Sequence, residues 1–182
     1  MRWLSKFIYL KILGWKVTGN VSMSKNTIKK AVIIGAPHTS WQDFYIALFM
    51  RSVIGVQANF VAKKELFKWP FGYYFRALGG AALDRRPGQN KVEAIAKLFE
   101  DREEFRLALS PEGTRKKVIE WKTGFYFIAK KANVPIIMFT FDFEHKQNKI
   151  SEPFFPTDDF ASDFKYIRSF FEGVKGKIHA YS

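Results

Sequence analysis

The feature that most constrains the fold is a short run of apolar, mostly β-branched residues, Ala31 to Gly35, which is followed closely by Pro37. A run of this length without polar alternation is typical of a strand that is buried on both faces of a parallel sheet. The next stretch, residues 41–53, has helical spacing, with Phe44, Ala47 and Leu48 on one face. A strand, a tight loop and a helix are therefore predicted in that order.

The same alternation continues along most of the chain. Further strands are predicted at residues 58–62, 81–83, 105–109 and 135–141, and helices at 67–78 (two short ones), 89–101, 124–132 and 160–174. Strands that alternate with helices favour an α/β fold with a mostly parallel central sheet flanked by helices. At 182 residues the chain fits a single domain, residues 1–182. Catalytic groups are then expected in the loops after the strands, where His38, Arg85 and Glu112 all fall.

Composition narrows the possible chemistry. The chain carries 30 Lys and Arg against 17 Asp and Glu, a formal charge of +13, which favours anionic partners such as phosphorylated metabolites, acidic lipids or nucleic acids. The absence of cysteine excludes disulfides, thiolate metal sites and a cysteine acyl-enzyme. Because His145 and His179 have no acidic or histidine neighbours at ligand spacing, no metal site is predicted.

Residues 1–16 are predicted to form an amphipathic helix. Arg2, Ser5, Lys6 and Tyr9 would lie on one side, and the opposite side would be largely apolar, with Trp3, Leu4, Phe7, Ile8 and Trp15. Such a helix either lies on an acidic membrane surface or packs on its own domain. No charge-free stretch approaches the ~20 residues of a transmembrane helix. We therefore expect a peripheral protein at the cytoplasmic face of a membrane, without a transmembrane segment.

His38 and Asp43 form the first candidate site. An imidazole can accept a proton from a hydroxyl near neutral pH, and a nearby carboxylate can hold its tautomer and stabilise the imidazolium. Five positions that span a loop and the start of a helix can bring these two side chains together. The alternative is a loop histidine and an aspartate that merely interacts with the helix dipole.

The second candidate site is the segment from Ser110 to Arg115, which follows a predicted strand. Gly113 permits close approach of the backbone, Thr114 offers a hydroxyl, and the guanidinium of Arg115 suits a phosphate. The alternative is a simple turn between a strand and a helix, with a solvated arginine.

Four sequence blocks in order resemble the glycerolphosphate and lysophosphatidate acyltransferase superfamily, also called the PlsC-like family. The resemblance covers roughly residues 31–141, and four ordered blocks are far more specific than any one of them. The blocks are His38 to Asp43, Gly79 to Arg85, Pro111 to Arg115 and Val134 to Ile137.

The resemblance implies roles for individual residues. His38 would be the general base and Asp43 its orienting partner. Arg85 would help to bind the phosphate of the acceptor. Glu112, Gly113, Thr114 and Arg115 would shape that acceptor site, and residues 134–137 would be structural or line the acyl path.

The implied reaction moves a fatty acyl group from acyl-CoA or acyl-acyl carrier protein to a hydroxyl of a phosphate-bearing glycerolipid such as lysophosphatidate. The sequence has neither a cysteine nor a Gly-x-Ser-x-Gly elbow, so direct attack by the acceptor hydroxyl is favoured over a covalent acyl-enzyme. No tightly bound cofactor is expected.

Two other functions remain open at this point. The chain could be a basic, non-catalytic lipid-binding protein, or a nucleic-acid-binding protein, but either function leaves His38 and Asp43 unexplained. No zinc-finger spacing, helix-turn-helix pattern or Walker loop is present, so no nucleic-acid partner is expected. The contact residues of a binding protein would be Lys63, Lys64, Arg85, Arg86, Lys116, Lys117, Lys130 and Lys131.

Overall fold

The computed structural model describes residues 2–20, 28–83 and 91–182. Within these ranges the strands are β1 (Lys16–Gly19), β2 (Lys30–Ala36), β3 (Asn59–Lys63), β4 (Gly80–Leu83), β5 (Phe105–Leu109), β6 (Ile136–Thr140) and β7 (Gln147–Ile150). The α-helices are α1 (Arg2–Phe7), α2 (Gln42–Ile54), α3 (Gly72–Ala77), α4 (Lys91–Glu100), α5 (Gly124–Ala132) and α6 (Phe160–Ser169). A π-helical segment, Ile8–Ile12, continues α1, and short 3₁₀ helices lie at Lys64–Phe67 and His179–Tyr181.

The seven strands form one sheet in the order β1-β7-β6-β2-β5-β3-β4. β2 lies at its centre and pairs in parallel with both β5 and β6. Among the described residues the only antiparallel strand pair is β6 with β7. The predicted α/β fold with a mostly parallel sheet and flanking helices is therefore confirmed.

Alternate residues of β2 serve two hydrophobic cores, one on each face of the sheet. Val32 and Ile34 belong to the core under α4, α5 and α6, whereas Ile33 belongs to the core under α2 and the N-terminal segment. This alternation follows from the period of two in a strand. Gly35 leaves room for the Phe139 ring, because an added Cβ would lie 2.4 Å from that ring.

Helix α2 buries a different face from the one that the spacing suggested. Its buried apolar residues are Ile46, Met50 and Ile54, while Phe44 and Leu48 are only partly buried. Both of those side chains line an apolar cavity between α2 and the sheet. Two neighbouring faces of α2 are therefore apolar for different reasons. One face packs into the core, and the other forms part of the cavity wall.

The N-terminal helix is shorter than predicted and is not amphipathic in the predicted way. Helical structure ends at Ile12, and Lys16 begins β1. Tyr9, which was predicted on the polar side, is fully buried, and its hydroxyl donates to Asn148 Oδ1 at 2.6 Å. The apolar side chains of Trp3, Leu4, Phe7, Leu10 and Ile12 are instead exposed. Among the helices in the described residues, none combines the length and the apolar character that crossing a bilayer requires.

Candidate active site

His38 lies in the loop between the carboxyl end of β2 and the start of α2, and its ring faces Asp43. The Nδ1 atom of His38 is 2.9 Å from Oδ2 of Asp43. Because an ionised carboxylate can only accept a hydrogen bond, Nδ1 carries the hydrogen and Nε2 is the free acceptor nitrogen. The His38 side chain is 27% exposed, so part of the imidazole is open to solvent.

Asp43 is fixed in place by the loop that carries His38. Its side chain is fully buried, and Oδ2 also accepts hydrogen bonds from the backbone amides of Thr39 and Ser40, both at 2.8 Å. These amide dipoles stabilise the carboxylate charge and fix the orientation of the imidazole. Oδ1 is buried and has no hydrogen-bond partner among the described residues.

Glu112 connects the second sequence block to the first. Its Oε2 atom accepts a hydrogen bond of 2.6 Å from the backbone amide of His38 and one of 3.3 Å from the Ser110 hydroxyl. Burial raises the pKa of the Glu112 carboxyl above its ordinary value, and the hydrogen bonds from His38 and Ser110 oppose that shift only in part. The Glu112 side chain therefore supports the histidine loop by binding the backbone amide of His38.

Gly113, Thr114 and Arg115 continue into an exposed loop. Gly113 has a φ of +66°, in the left-handed region that favours glycine, and the flexible end of the Lys122 side chain lies beside it, with Nζ 2.8 Å from where a Cβ would be. Lys122 thus adds a cation to this loop, which the sequence blocks did not reveal because Lys122 lies outside them. Arg85 lies outside the described residues.

An apolar cavity of about 100 Å³ lies between α2 and the sheet. Its wall includes Phe44, next to Asp43, and Ile137 from the fourth sequence block. Phe139, also in the wall, contacts the Phe141 ring, which in turn lies 6.4 Å from the His38 ring. The Phe139 and Phe141 rings therefore link the cavity wall to the His38 ring.

A sequence model of the acyltransferase family matches residues 16–141, which is more than half of the chain. The chain belongs to the acyltransferase family. Its fold is similar to the crystal structure of the 1-acyl-sn-glycerophosphate (LPA) acyltransferase PlsC from Thermotoga maritima, with a TM-score of 0.64 and 20% sequence identity over 93% of this chain and 74% of that chain. No curated protein matches the sequence. The predicted resemblance to the PlsC-like superfamily is confirmed.

This acyltransferase has a second histidine and aspartate pair that differs from the first in its surroundings. His145 Nδ1 lies 2.8 Å from Asp142 Oδ2, so the interpretation that His145 has no acidic neighbour at ligand spacing was wrong. His145 is well exposed, and Gln147 Nε2 also donates to the same oxygen of Asp142. Both pairs have the same Nδ1-to-Oδ2 hydrogen bond. Only His38, however, lies in the loop that Glu112 supports.

Some of the basic residues that were predicted as contact residues of a binding protein form ion pairs within the acyltransferase. Lys130 forms an ion pair with Asp158, and Lys131 forms one with Glu93. The side chains of Lys63 and Lys64, together with Arg85 and Arg86, lie outside the described part of the structure. Within the described part, no group of three or more His, Asp or Glu side chains is arranged to hold a metal ion.

Proposed function

We propose that this acyltransferase moves a fatty acyl group from an acyl thioester to a hydroxyl of a phosphate-bearing glycerolipid, with lysophosphatidate as the representative acceptor. The observation that carries the proposal is the His38 ring, whose Nδ1 is held by Asp43 Oδ2 at 2.9 Å. Its Nε2 has no hydrogen-bond partner among the described residues. This arrangement prepares Nε2 to accept a proton.

In the proposed reaction, Nε2 of His38 accepts the proton of the acceptor hydroxyl while the hydroxyl oxygen attacks the thioester carbonyl carbon. The carbon–sulfur bond then breaks, and the leaving thiolate takes the proton from the imidazolium, which restores neutral His38. The buried charge of Asp43 stabilises the imidazolium between these steps. General-base catalysis of this kind contributes roughly 10²- to 10⁴-fold to the rate.

The acceptor phosphate is proposed to bind at the loop that follows β5. Arg115 can offer a two-pronged contact, Thr114 a hydroxyl and Lys122 an ammonium group, with Glu112 and Gly113 shaping the loop. Arg85 is proposed to join them. The similar PlsC structure is of an enzyme named for a 1-acyl-sn-glycerophosphate substrate, which supports the same class of acceptor here.

The donor is proposed to be acyl-CoA or acyl-acyl carrier protein, with no tightly bound cofactor. The apolar cavity under α2 supports this by offering a site for a few methylene groups of the acyl chain. The exposed apolar side chains of the N-terminal segment support a peripheral location on an acidic membrane surface, which we propose to be the cytoplasmic face.

The central test compares His38→Ala with His145→Ala. We expect His38→Ala to lower the rate of acyl transfer from labelled acyl-CoA to lysophosphatidate by at least about 100-fold, because the general base is lost. His145→Ala removes the partner of the other aspartate and should leave the rate unchanged. Circular dichroism and thermal unfolding of both variants would verify the fold. An unchanged rate for His38→Ala would show that His38 is not the base.

A panel of acceptors tests the substrate class. Purified protein with labelled acyl-CoA would be assayed with lysophosphatidate, glycerol 3-phosphate and monoacylglycerol. The proposal requires kcat/KM for the phosphorylated acceptors to exceed that for uncharged monoacylglycerol. Equal values for lysophosphatidate and monoacylglycerol would contradict a phosphate-binding site, and transfer to none of the three would contradict the acceptor class altogether.

A further inference from the structure

A second cavity, of about 550 Å³, lies between four separate parts of the chain, one of which is the turn with Phe143 and Lys146 between β6 and β7. Leu13 and Trp15 line it from the N-terminal segment, Trp41 and Tyr45 from the start of α2, and His179 from the C-terminal segment. Its size is that of an ordinary small-molecule site. Phe143, Lys146, Lys177 and His179 in its wall lie beyond the residues that the family model matches.

The charged side chains in the wall of this cavity are basic. They are Lys146, Lys177 and His179, and no Asp or Glu is among the described residues that line it. Neither lysine forms an ion pair within the described ranges of the chain. Glu144, which interacts electrostatically with His179, is itself paired with Lys175 at 2.9 Å. The cavity therefore presents unneutralised positive charge to a ligand.

Apart from Gln42, the rest of the wall is aromatic and apolar. The Trp15 and Phe143 rings meet edge to face with 4.9 Å between centroids, and the Trp41 and Tyr45 rings meet in the same way at 5.7 Å. Nζ of Lys177 lies 5.8 Å from the centroid of the Phe143 ring. A ligand that satisfies both parts of this wall has an anionic group joined directly to an apolar body.

The cavity is continuous with an apolar part of the surface. Leu13, in the cavity wall, follows Leu10 and Ile12, whose side chains are exposed. Trp41 and Tyr45 are also exposed at the edge of the cavity. Aromatic rings beside basic residues and exposed aliphatic side chains are the composition of a surface that meets the headgroup layer of a bilayer.

We propose that this cavity binds the headgroup of an anionic phospholipid. The phosphate would contact Lys146, Lys177 and His179, and the glycerol and the first methylenes of the chain would pack on Trp41 and Tyr45. The apolar wall and its continuity with the exposed N-terminal side chains favour a lipid over a soluble phosphate compound. The site is separate from the phosphate contacts proposed at Arg115 and does not depend on acyl transfer.

An occupied cavity would join the C-terminal segment to the histidine loop. The amide of Ile178, between Lys177 and His179, donates to Thr39 Oγ1 at 3.1 Å. Gly176 packs so closely on Thr39 that an added Cβ would lie 2.6 Å from its Oγ1. The lipid would thus hold together the C-terminal segment, the start of α2 and the loop that carries His38.

The test uses water-soluble short-chain lipids, which report a site rather than adsorption to a surface. We would titrate the full chain with dihexanoyl phosphatidic acid and follow the tryptophan indole signals by NMR. The signals of Trp15 and Trp41 should shift, while that of Trp69, which is 93% exposed and lines neither this cavity nor the surroundings of Glu112, should not. Dihexanoyl phosphatidylcholine, with no net charge, should bind at least about tenfold more weakly.

The variant Lys146→Ala/Lys177→Ala should weaken binding of dihexanoyl phosphatidic acid by about tenfold or more. Its matched control, Lys68→Ala/Lys97→Ala, removes the same charge from exposed positions that line neither this cavity nor the surroundings of Glu112, and it should bind as the parent does. Equal affinity of the two double variants would overturn the site. Equally tight binding of glycerol 3-phosphate or CoA, with the same lysine dependence, would overturn the lipid assignment. His38→Ala should still bind the lipid, so failure of this inference is distinguishable from failure of the proposed catalysis.

Discussion

At the scale of single residues, Glu112 was predicted in the candidate site, but its contact with the histidine loop was not. A carboxylate is costly to bury, and here it is kept beside the histidine loop by a 2.6 Å hydrogen bond from the His38 amide. The burial raises the pKa of Glu112, so the folded protein binds a proton at this carboxyl more readily than the unfolded chain does. Stability and pH are therefore linked at this residue.

The linkage predicts how Glu112→Gln changes stability with pH. Because the pKa is raised in the folded state, the Glu112 carboxyl contributes stability below its ordinary value of 4.5, and that contribution is lost as pH rises through the folded pKa. The free energy of unfolding of the parent, relative to Glu112→Gln, should therefore increase as pH falls. Urea denaturation from about pH 4.5 to pH 8 measures this difference. Glu120→Gln, at an exposed position, is the control, and a pH-independent difference for Glu112→Gln would contradict the prediction.

At the scale of secondary-structure elements, the N-terminal segment is joined to the sheet by a buried polar network. The Tyr9 hydroxyl donates to Asn148 Oδ1 at 2.6 Å, and Asn148 Nδ2 donates to the backbone carbonyl of Thr140 at 2.6 Å. Asn148 is fully buried in β7. The network fixes the segment that places Trp15 in the core and carries the exposed apolar side chains before it.

Tyr9→Phe should destabilise the fold by about 1–3 kcal/mol, because Asn148 Oδ1 would remain buried without its donor. Chemical denaturation at constant pH measures the loss. Tyr73→Phe removes a hydroxyl from a highly exposed ring and should have almost no effect. Equal free energies of unfolding for the two variants would show that the network does not stabilise the segment.

At the scale of the whole molecule, basic charge and exposed aromatic side chains occur together. The chain has a formal charge of +13, and the Trp3 and Phe7 rings stack at 5.9 Å on the surface although they are 76% and 46% exposed. Exposed paired rings favour contact with another apolar phase. A membrane contact through this segment remains a prediction.

Deleting residues 1–16 would remove Tyr9 and Trp15 from the core, so surface substitutions test membrane contact more cleanly. Trp3→Ser/Phe7→Ser should lower retention on vesicles of acidic phospholipid by about tenfold or more, since two rings no longer enter the interface. Thermal unfolding should be unchanged. Phe155→Ser, at a ring that is 57% exposed in the loop before α6, should leave retention unaltered. If Trp3→Ser/Phe7→Ser were retained on the vesicles as well as the parent, the N-terminal segment would not contact the membrane.

Local patterns in the sequence determined much of the fold and part of the site. The apolar run of β2 and the helical spacing after it place His38 and Asp43 across a loop and a first helical turn, where five positions suffice to bring them together. The strand predicted at residues 105–109 is β5, and Glu112 follows it. These features were predictable because the spacing of apolar residues and the turn-forming residues determine local structure within a few neighbouring positions.

Only the tertiary structure decided which distant parts meet. β7, Gln147–Ile150, is short and mostly polar. It lies between β1 and β6 through backbone pairing, and its side chains show no alternating apolar pattern from which a strand could be predicted. The Glu112 contact with the His38 amide joins residues that lie 74 positions apart, and Ile178 reaches Thr39 from 139 positions away. The burial of Tyr9 likewise depends on Asn148, a partner that becomes a neighbour only when the sheet has formed. The proposed catalytic residues could thus be identified from neighbouring positions in the sequence, whereas the hydrogen bonds that hold them depend on strand order.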